Sequence, residues 1–161
     1  MKTGYNWRNT LTHFAAISGV LAGFCVTFIA LILGVPVANV NIYTLTFGQI
    51  AVLLFGISAS LFICAAELFL HAKEFDVYDI PQEYQKLLKD EVIGQGKKWT
   101  EFVKESIEHC RREETFGRWL YNYAVIIIFI GLFFTICPYN PVIAIAVAGL
   151  GIVLQLLQIL R

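Results

Sequence analysis

The sequence predicts an all-α integral membrane protein: a four-helix, tetraspan bundle with a helical cytoplasmic insertion between the second and third spans. Three observations predict it. The 161-residue chain is 58% hydrophobic with a mean hydropathy of +0.68, beyond an ordinary soluble domain. It contains four apolar runs, about 11–34, 45–72, 119–137 and 142–160, of the length needed to cross a hydrocarbon core of roughly 30 Å. Eleven of its 12 acidic and nine of its 12 basic residues are confined to 73–118. The whole, 1–161, reads as a single membrane domain.

The first run is preceded by Trp7 and Arg8, residue types suited to the headgroup zone. From Leu11 to Leu33 it exceeds the 7–15 residues of a signal-peptide core, so it is expected to be a retained helix. Ala16, Gly19, Gly23 and Thr27 form a stripe of small residues that includes a G-x-x-x-G. Such a stripe lets helices approach closely. Packing within the same subunit is the favoured use; an oligomer or pore-lining contact is the other. Residues 35–44, with Pro36 and two asparagines and no charge, form a short connection.

The second run carries Glu67, the one carboxylate inside an apolar run. Gln49, Gly56, Ser60, Cys64, Glu67 and His71 follow at steps of seven, four, four, three and four, one stripe of a helix. A carboxylate is costly in hydrocarbon, so this stripe should face protein or water. The other apolar residues of the run, Ile50, Val52, Leu53, Leu54, Phe55, Ile57, Leu61, Phe62, Ile63, Leu68, Phe69 and Leu70, are left to lipid or to neighbouring side chains.

Within 73–118 two helices are expected outside the bilayer. The first covers about Pro81 to Val92, with Pro81 in its opening turn and Asp79 as a cap. Gly94-Gln95-Gly96 breaks it. The second starts near Lys97, with Trp99, Phe102, Val103, Ile107 and Cys110 on one face and Glu101, Lys104, Glu105, Glu108 and Arg111 on the other. It has only Gly117 to interrupt it before the third span, and if continuous it stands roughly 30 Å clear of the membrane. Trp99, Phe102, Val103 and Ile107 are the candidates for partner binding or oligomerisation, by helix pairing rather than lipid-surface binding, since the charges mix both signs.

Trp119, Tyr121 and Tyr123 open the third span as an aromatic belt. Pro138-Tyr139-Asn140-Pro141 predicts a tight turn into an antiparallel fourth span. There Ala144, Ala148, Gly151, Gln155 and Gln158 share a stripe, small residues first and amides last. Lys and Arg are absent from the connections after spans one and three. The positive-inside rule therefore puts both termini and 73–118 in the cytoplasm of a multi-pass cell-membrane protein.

The four cysteines lack a C-x-x-C pairing and read as small apolar fillers. His109 and Cys110 are adjacent and point to different helix faces, so no metal site is expected. No cofactor motif, phosphate-binding loop or catalytic pattern is present, and the chain is not expected to be an enzyme. Balanced charge argues against nucleic-acid binding.

The plan of four spans with cytoplasmic termini and an intracellular connection between spans two and three is similar to that of Orai-type calcium channels. The segments ISGVLAGFCVTFIALIL and FGISASLFICAAELF carry the likeness. The acidic filter residue of that family's first span has no counterpart in 11–34, and its basic stretch before that span is missing, so calcium selectivity does not carry over. The functional expectation is a homo-oligomer that forms or gates an ion-conducting path, with Gln49, Ser60, Glu67 and His71 as its polar stripe and Gly19, Gly23, Thr27, Gly56, Ala148 and Gly151 packing its helices. The alternative is a membrane scaffold or sensor subunit that recruits a cytosolic partner through 73–118.

Overall fold

In a computed structural model, residues 7–34, 41–42, 45–74 and 81–160 are described. They form α1 (Trp7–Gly34), β1 (Asn41–Ile42), β2 (Leu45–Thr46), α2 (Phe47–Glu74), α3 (Gln82–Gly94), α4 (Trp99–Ile136) and α5 (Pro141–Ile159). Four of the helices, α1, α2, α4 and α5, are long and apolar enough to cross a membrane. Among the described residues, the one departure from an all-α chain is the pairing of Asn41 with Thr46 and Ile42 with Leu45 in an antiparallel ribbon. Two-residue strands carry no periodicity, so the sequence offered only a connection there.

Neighbouring apolar helices pack in the order α1–α2–α4–α5. The buried residues explain this order. On α1 they are Leu11, Ala15, Ser18, Ala22, Cys25 and Ile32, and on α2 Ala51, Phe55, Ser58, Phe62, Ala65, Phe69 and Ala72. Both sets advance by alternating steps of four and three (Ile29, partly buried, completes the first), the 3.5-residue repeat of left-handed, coiled-coil-like packing.

Across from α2, the buried residues of α4 are Cys110, Gly117, Ala124 and Gly131, all small and all seven apart. Each large residue of α2 meets one of them. A methyl group on Gly117 would sit 3.0 Å from the Phe69 ring, and one on Gly131 would sit 3.2 Å from that of Phe55. Phe62 and Ala124 share a core cluster between these two. Ser58, fully buried, donates to the Ala124 carbonyl at 3.1 Å. In hydrocarbon the gain from such a seam is dispersion between close-fitting surfaces, because lipid tails are as apolar as the side chains.

Helix ends follow local chemistry. Thr46 and Gln49 make a capping box at the start of α2: the Thr46 N–H donates to Gln49 Oε1 at 2.9 Å, and the Gln49 N–H donates to Thr46 Oγ1 at 3.2 Å. Gly96, at φ +76°, closes α3, with its N–H on the Ile93 carbonyl and the Lys97 N–H on that of Val92, a Schellman ending. Asn140 caps α5 through Ile143 N–H at 3.1 Å, and Pro141 occupies its first turn.

Expected boundaries shift modestly. The α3 helix runs two residues beyond Val92, and Asp79, the expected cap, lies outside the described residues. The α4 helix is continuous through Gly117 for 38 residues, roughly 57 Å at 1.5 Å per residue. However, Cys110 is still in the core shared with Leu11 and Ala72. Only the part before it projects past that core, roughly 16 Å.

Candidate functional site

The outward face of α2 is where the predicted polar residues collect. Gln49, Ser60, Cys64, Glu67 and His71 are all exposed, on the side of the helix away from Phe55, Phe62 and Phe69. Gln49 and Ser60 are bonded close by in the chain. Gln49 spends its amide oxygen on the capping box, and Ser60 donates to the Gly56 carbonyl at 3.1 Å. The Ser60 hydroxyl and the Gln49 side-chain oxygen are thus matched within the chain.

Glu67 is at a different level. Its neighbour Phe69 packs on Gly117, so Glu67 and His71 lie level with the stretch where α4 changes from Glu113, Glu114 and Arg118 to the apolar residues after Trp119. That places the carboxylate at the boundary of the apolar layer, not its centre. The boundary is knitted by aromatic rings: Phe14 lies 5.4 Å from Phe69 and 5.8 Å from Tyr121, and Tyr121 lies 5.5 Å from Phe62. Arg118 rests over the Phe14 ring at 5.6 Å and bonds Glu114 at 2.6 Å. An arginine shared between a ring face and a carboxylate holds the start of α1 to α4.

Among the described residues, the small-residue stripe of α1 is outside the helix–helix contacts. Gly19, Gly23 and Thr27 are exposed, and a Cβ on either glycine would meet nothing within 4 Å. Packing within the same subunit, the favoured reading of the G-x-x-x-G, is therefore not its use here. The physical reason is that α1 has a second small face, Ala15, Ser18, Ala22 and Cys25, in heptad spacing that matches α2. Gly56 likewise has open space around it. On α5, Ala148 and Gly151 are buried against α4, and a methyl on Gly151 would run into the Phe129 ring.

Beyond the apolar layer, Trp99, Phe102, Val103 and Ile107 are partly buried while Glu101, Lys104, Glu105, Glu108 and Arg111 are exposed. Trp99 and Phe102 stack at 5.7 Å. The amphipathic stripe thus turns inward, α3 packing beside it with Val92 buried. Tyr84, Leu87 and Ile93 of α3 are instead open, at 62%, 66% and 52% exposure.

Two features escaped the sequence reading. Gln155, buried, donates to Asn122 Oδ1 at 2.8 Å and ties α5 to α4; the amide on α5 was visible, its partner was not. The Phe–small seam was also missed, although Phe55, Phe62 and Phe69 seven apart on α2, matched by small residues seven apart on α4, would have signalled it. Between α4 and α5 lies an apolar cleft of about 400 Å³ lined by residues including Phe133, Phe134, Ile145 and Ile152. Among the described residues no group of three His, Cys, Asp or Glu side chains is arranged to hold a metal ion. No family model, curated protein or solved structure matches the chain.

Proposed function

We propose that this chain is a multi-pass protein of the cell membrane, with both termini and the α3–α4 hairpin in the cytoplasm, which assembles with copies of itself and forms or gates an ion-conducting path between them. It is not an enzyme. One observation carries the reading: the interior of the single chain is filled by Phe55, Phe62 and Phe69, while the polar stripe of α2 (Gln49, Ser60, Glu67, His71) and the Gly19, Gly23, Thr27 stripe of α1 point outward. A path through one chain has no room, and a path between chains would be lined by those outward faces. Glu67 and His71 then ring its cytoplasmic mouth, where carboxylates attract cations.

Purified protein in liposomes is expected to conduct ions, and Glu67→Gln to weaken cation preference. Absence of conductance at every voltage and lipid composition tried would sink the proposal. The topology has its own check: in sealed cells, a membrane-impermeant maleimide should label Tyr139→Cys and leave Tyr84→Cys unlabelled.

The second reading, a scaffold or sensor subunit, is favoured by the exposed Tyr84 and Leu87 on α3. Deleting 81–112 should then abolish capture of a cytosolic partner while membrane insertion persists. Capture of the same partner by the truncated chain refutes it.

A further inference from the structure

Where α4 leaves the apolar layer, it presents three aromatic side chains to the surroundings. Phe116, Trp119 and Tyr123 are exposed by 57%, 50% and 50%, and steps of three and four set them on one face. Tyr121, expected in the same belt, instead turns inward onto Phe14 and Phe62. Trp and Tyr at such a level sit among headgroups, and Phe116 extends the belt by one turn toward the charged segment. A further turn out on this face is Arg112, also exposed. It stands about 6 Å from the level of Phe116, within a headgroup layer of roughly 5–8 Å. The carboxylates nearby are already engaged: Glu108 faces Lys104 at 3.9 Å, Glu113 faces His109 at 3.9 Å, and Glu114 holds Arg118 at 2.6 Å. Arg112 forms no ion pair with any described residue. Glu105 is two turns beyond it, outside that layer.

We propose that this face of α4 holds a phospholipid with an anionic headgroup. Its phosphate sits on the Arg112 guanidinium, its glycerol region lies against Trp119 and Tyr123, and a tail runs toward the cleft between α4 and α5. The spacing is that of any helix face; the succession of side-chain types names the occupant. An unpaired cation, then amphipathic rings, then wholly apolar surface is the order that complements one lipid molecule from headgroup to tail. A guanidinium matches a phosphate in two parallel hydrogen bonds, and its long stem lies along apolar surface while the charge stays among headgroups. The cleft begins at Ile130, eleven residues beyond Trp119 and so roughly 16 Å deeper. That is about the depth a tail reaches from one leaflet of a hydrocarbon core of roughly 30 Å. The site rests on the membrane placement proposed above, and on neither conduction nor assembly.

Trp119 is a native reporter of this site. In the full-length protein carrying Trp7→Phe and Trp99→Phe, reconstituted in phosphatidylcholine vesicles, lipids with brominated tails quench Trp119 according to how often they sit beside it. At equal mole fraction, brominated phosphatidylglycerol should occupy that place roughly five-fold more than brominated phosphatidylcholine, the attraction of one surface cation for anionic lipid. Arg112→Gln should bring the two lipids to parity, and Arg112→Lys should keep most of the preference. Arg111→Gln, the same loss of charge on the side of the helix that carries Arg118, should leave it intact. Parity with Arg112 in place, or equal losses in Arg111→Gln and Arg112→Gln, in a protein whose Trp119 is quenched by both lipids, would overturn the lipid site and leave the membrane placement standing. No quenching of Trp119 by either lipid would overturn both.

Discussion

Substituting Gly117 by alanine tests the seam between α2 and α4 at its tightest rung. The added methyl would lie 3.0, 3.2 and 3.3 Å from Cε1, Cδ1 and Cζ of Phe69. The ring cannot easily withdraw, because Phe69 is fully buried and Phe14 lies 5.4 Å behind it. Overfilling a packed site costs about 1–3 kcal/mol. Replacing a mid-helix glycine returns about 0.5–1 kcal/mol of conformational entropy. The net expectation is a loss of about 0–2.5 kcal/mol, toward the upper end because the ring is held from both sides. The control is Gly149→Ala, where the methyl meets nothing within 4 Å and the entropy gain acts alone. Reversible unfolding of both variants in bicelles by added SDS, followed by tryptophan fluorescence, measures the difference. Phe69→Leu should relieve Gly117→Ala in a double-mutant cycle. If Gly117→Ala stabilises as much as Gly149→Ala, the seam does not pack as described.

Gln49→Ala removes one half of the capping box and should cost roughly 1 kcal/mol of stability with no change in cation preference, measured in the same bicelles and in liposome flux; an altered preference would return Gln49 to a pore lining. Gly96→Ala forces a side chain into left-handed backbone at φ +76°, a cost of about 1–2 kcal/mol that should appear as faster proteolysis at the α3–α4 turn, while Gly94→Ala should show none. Gln155→Leu breaks the bond to Asn122, worth about 0.6 kcal/mol between membrane helices on average, and should lower stability modestly in the SDS titration; an unchanged midpoint would mean that the amides find equal partners elsewhere.

The four spans and the tight turn at 138–141 were legible because hydropathy and proline report on length and backbone directly. Which face of each span turns inward was not. Hydropathy separates Glu67 from its neighbours but cannot separate Phe62, buried, from Ile63, which is 51% exposed, since both are equally content in lipid. What distinguishes them is fit to a partner helix, and fit is written in two segments at once: the phenylalanines of α2 have meaning only beside Gly117, Ala124 and Gly131. The same limitation explains α1. Its G-x-x-x-G is the more recognisable stripe, yet the face through Ala15, Ser18 and Ala22 is the one in phase with α2. Of the polar stripe, position was legible and role was not; whether Gln49 caps a helix or lines a face depends on where α2 begins, and Thr46 decides that.

The bond between Gln155 and Asn122 also bears on how the chain enters a membrane. The two amides sit about four helical turns from the connection that joins α4 and α5, Gln155 near the far end of α5 and Asn122 near the start of the apolar part of α4. They meet only when α5 is wound as far as Gln155 and aligned with α4 from Asn122 onward. A hairpin that entered with either helix incomplete, or shifted by a turn, would carry two unmatched amides into hydrocarbon. The pair thus penalises incorrect insertion at the earliest moment the two helices share the bilayer, before α1 and α2 need be in place.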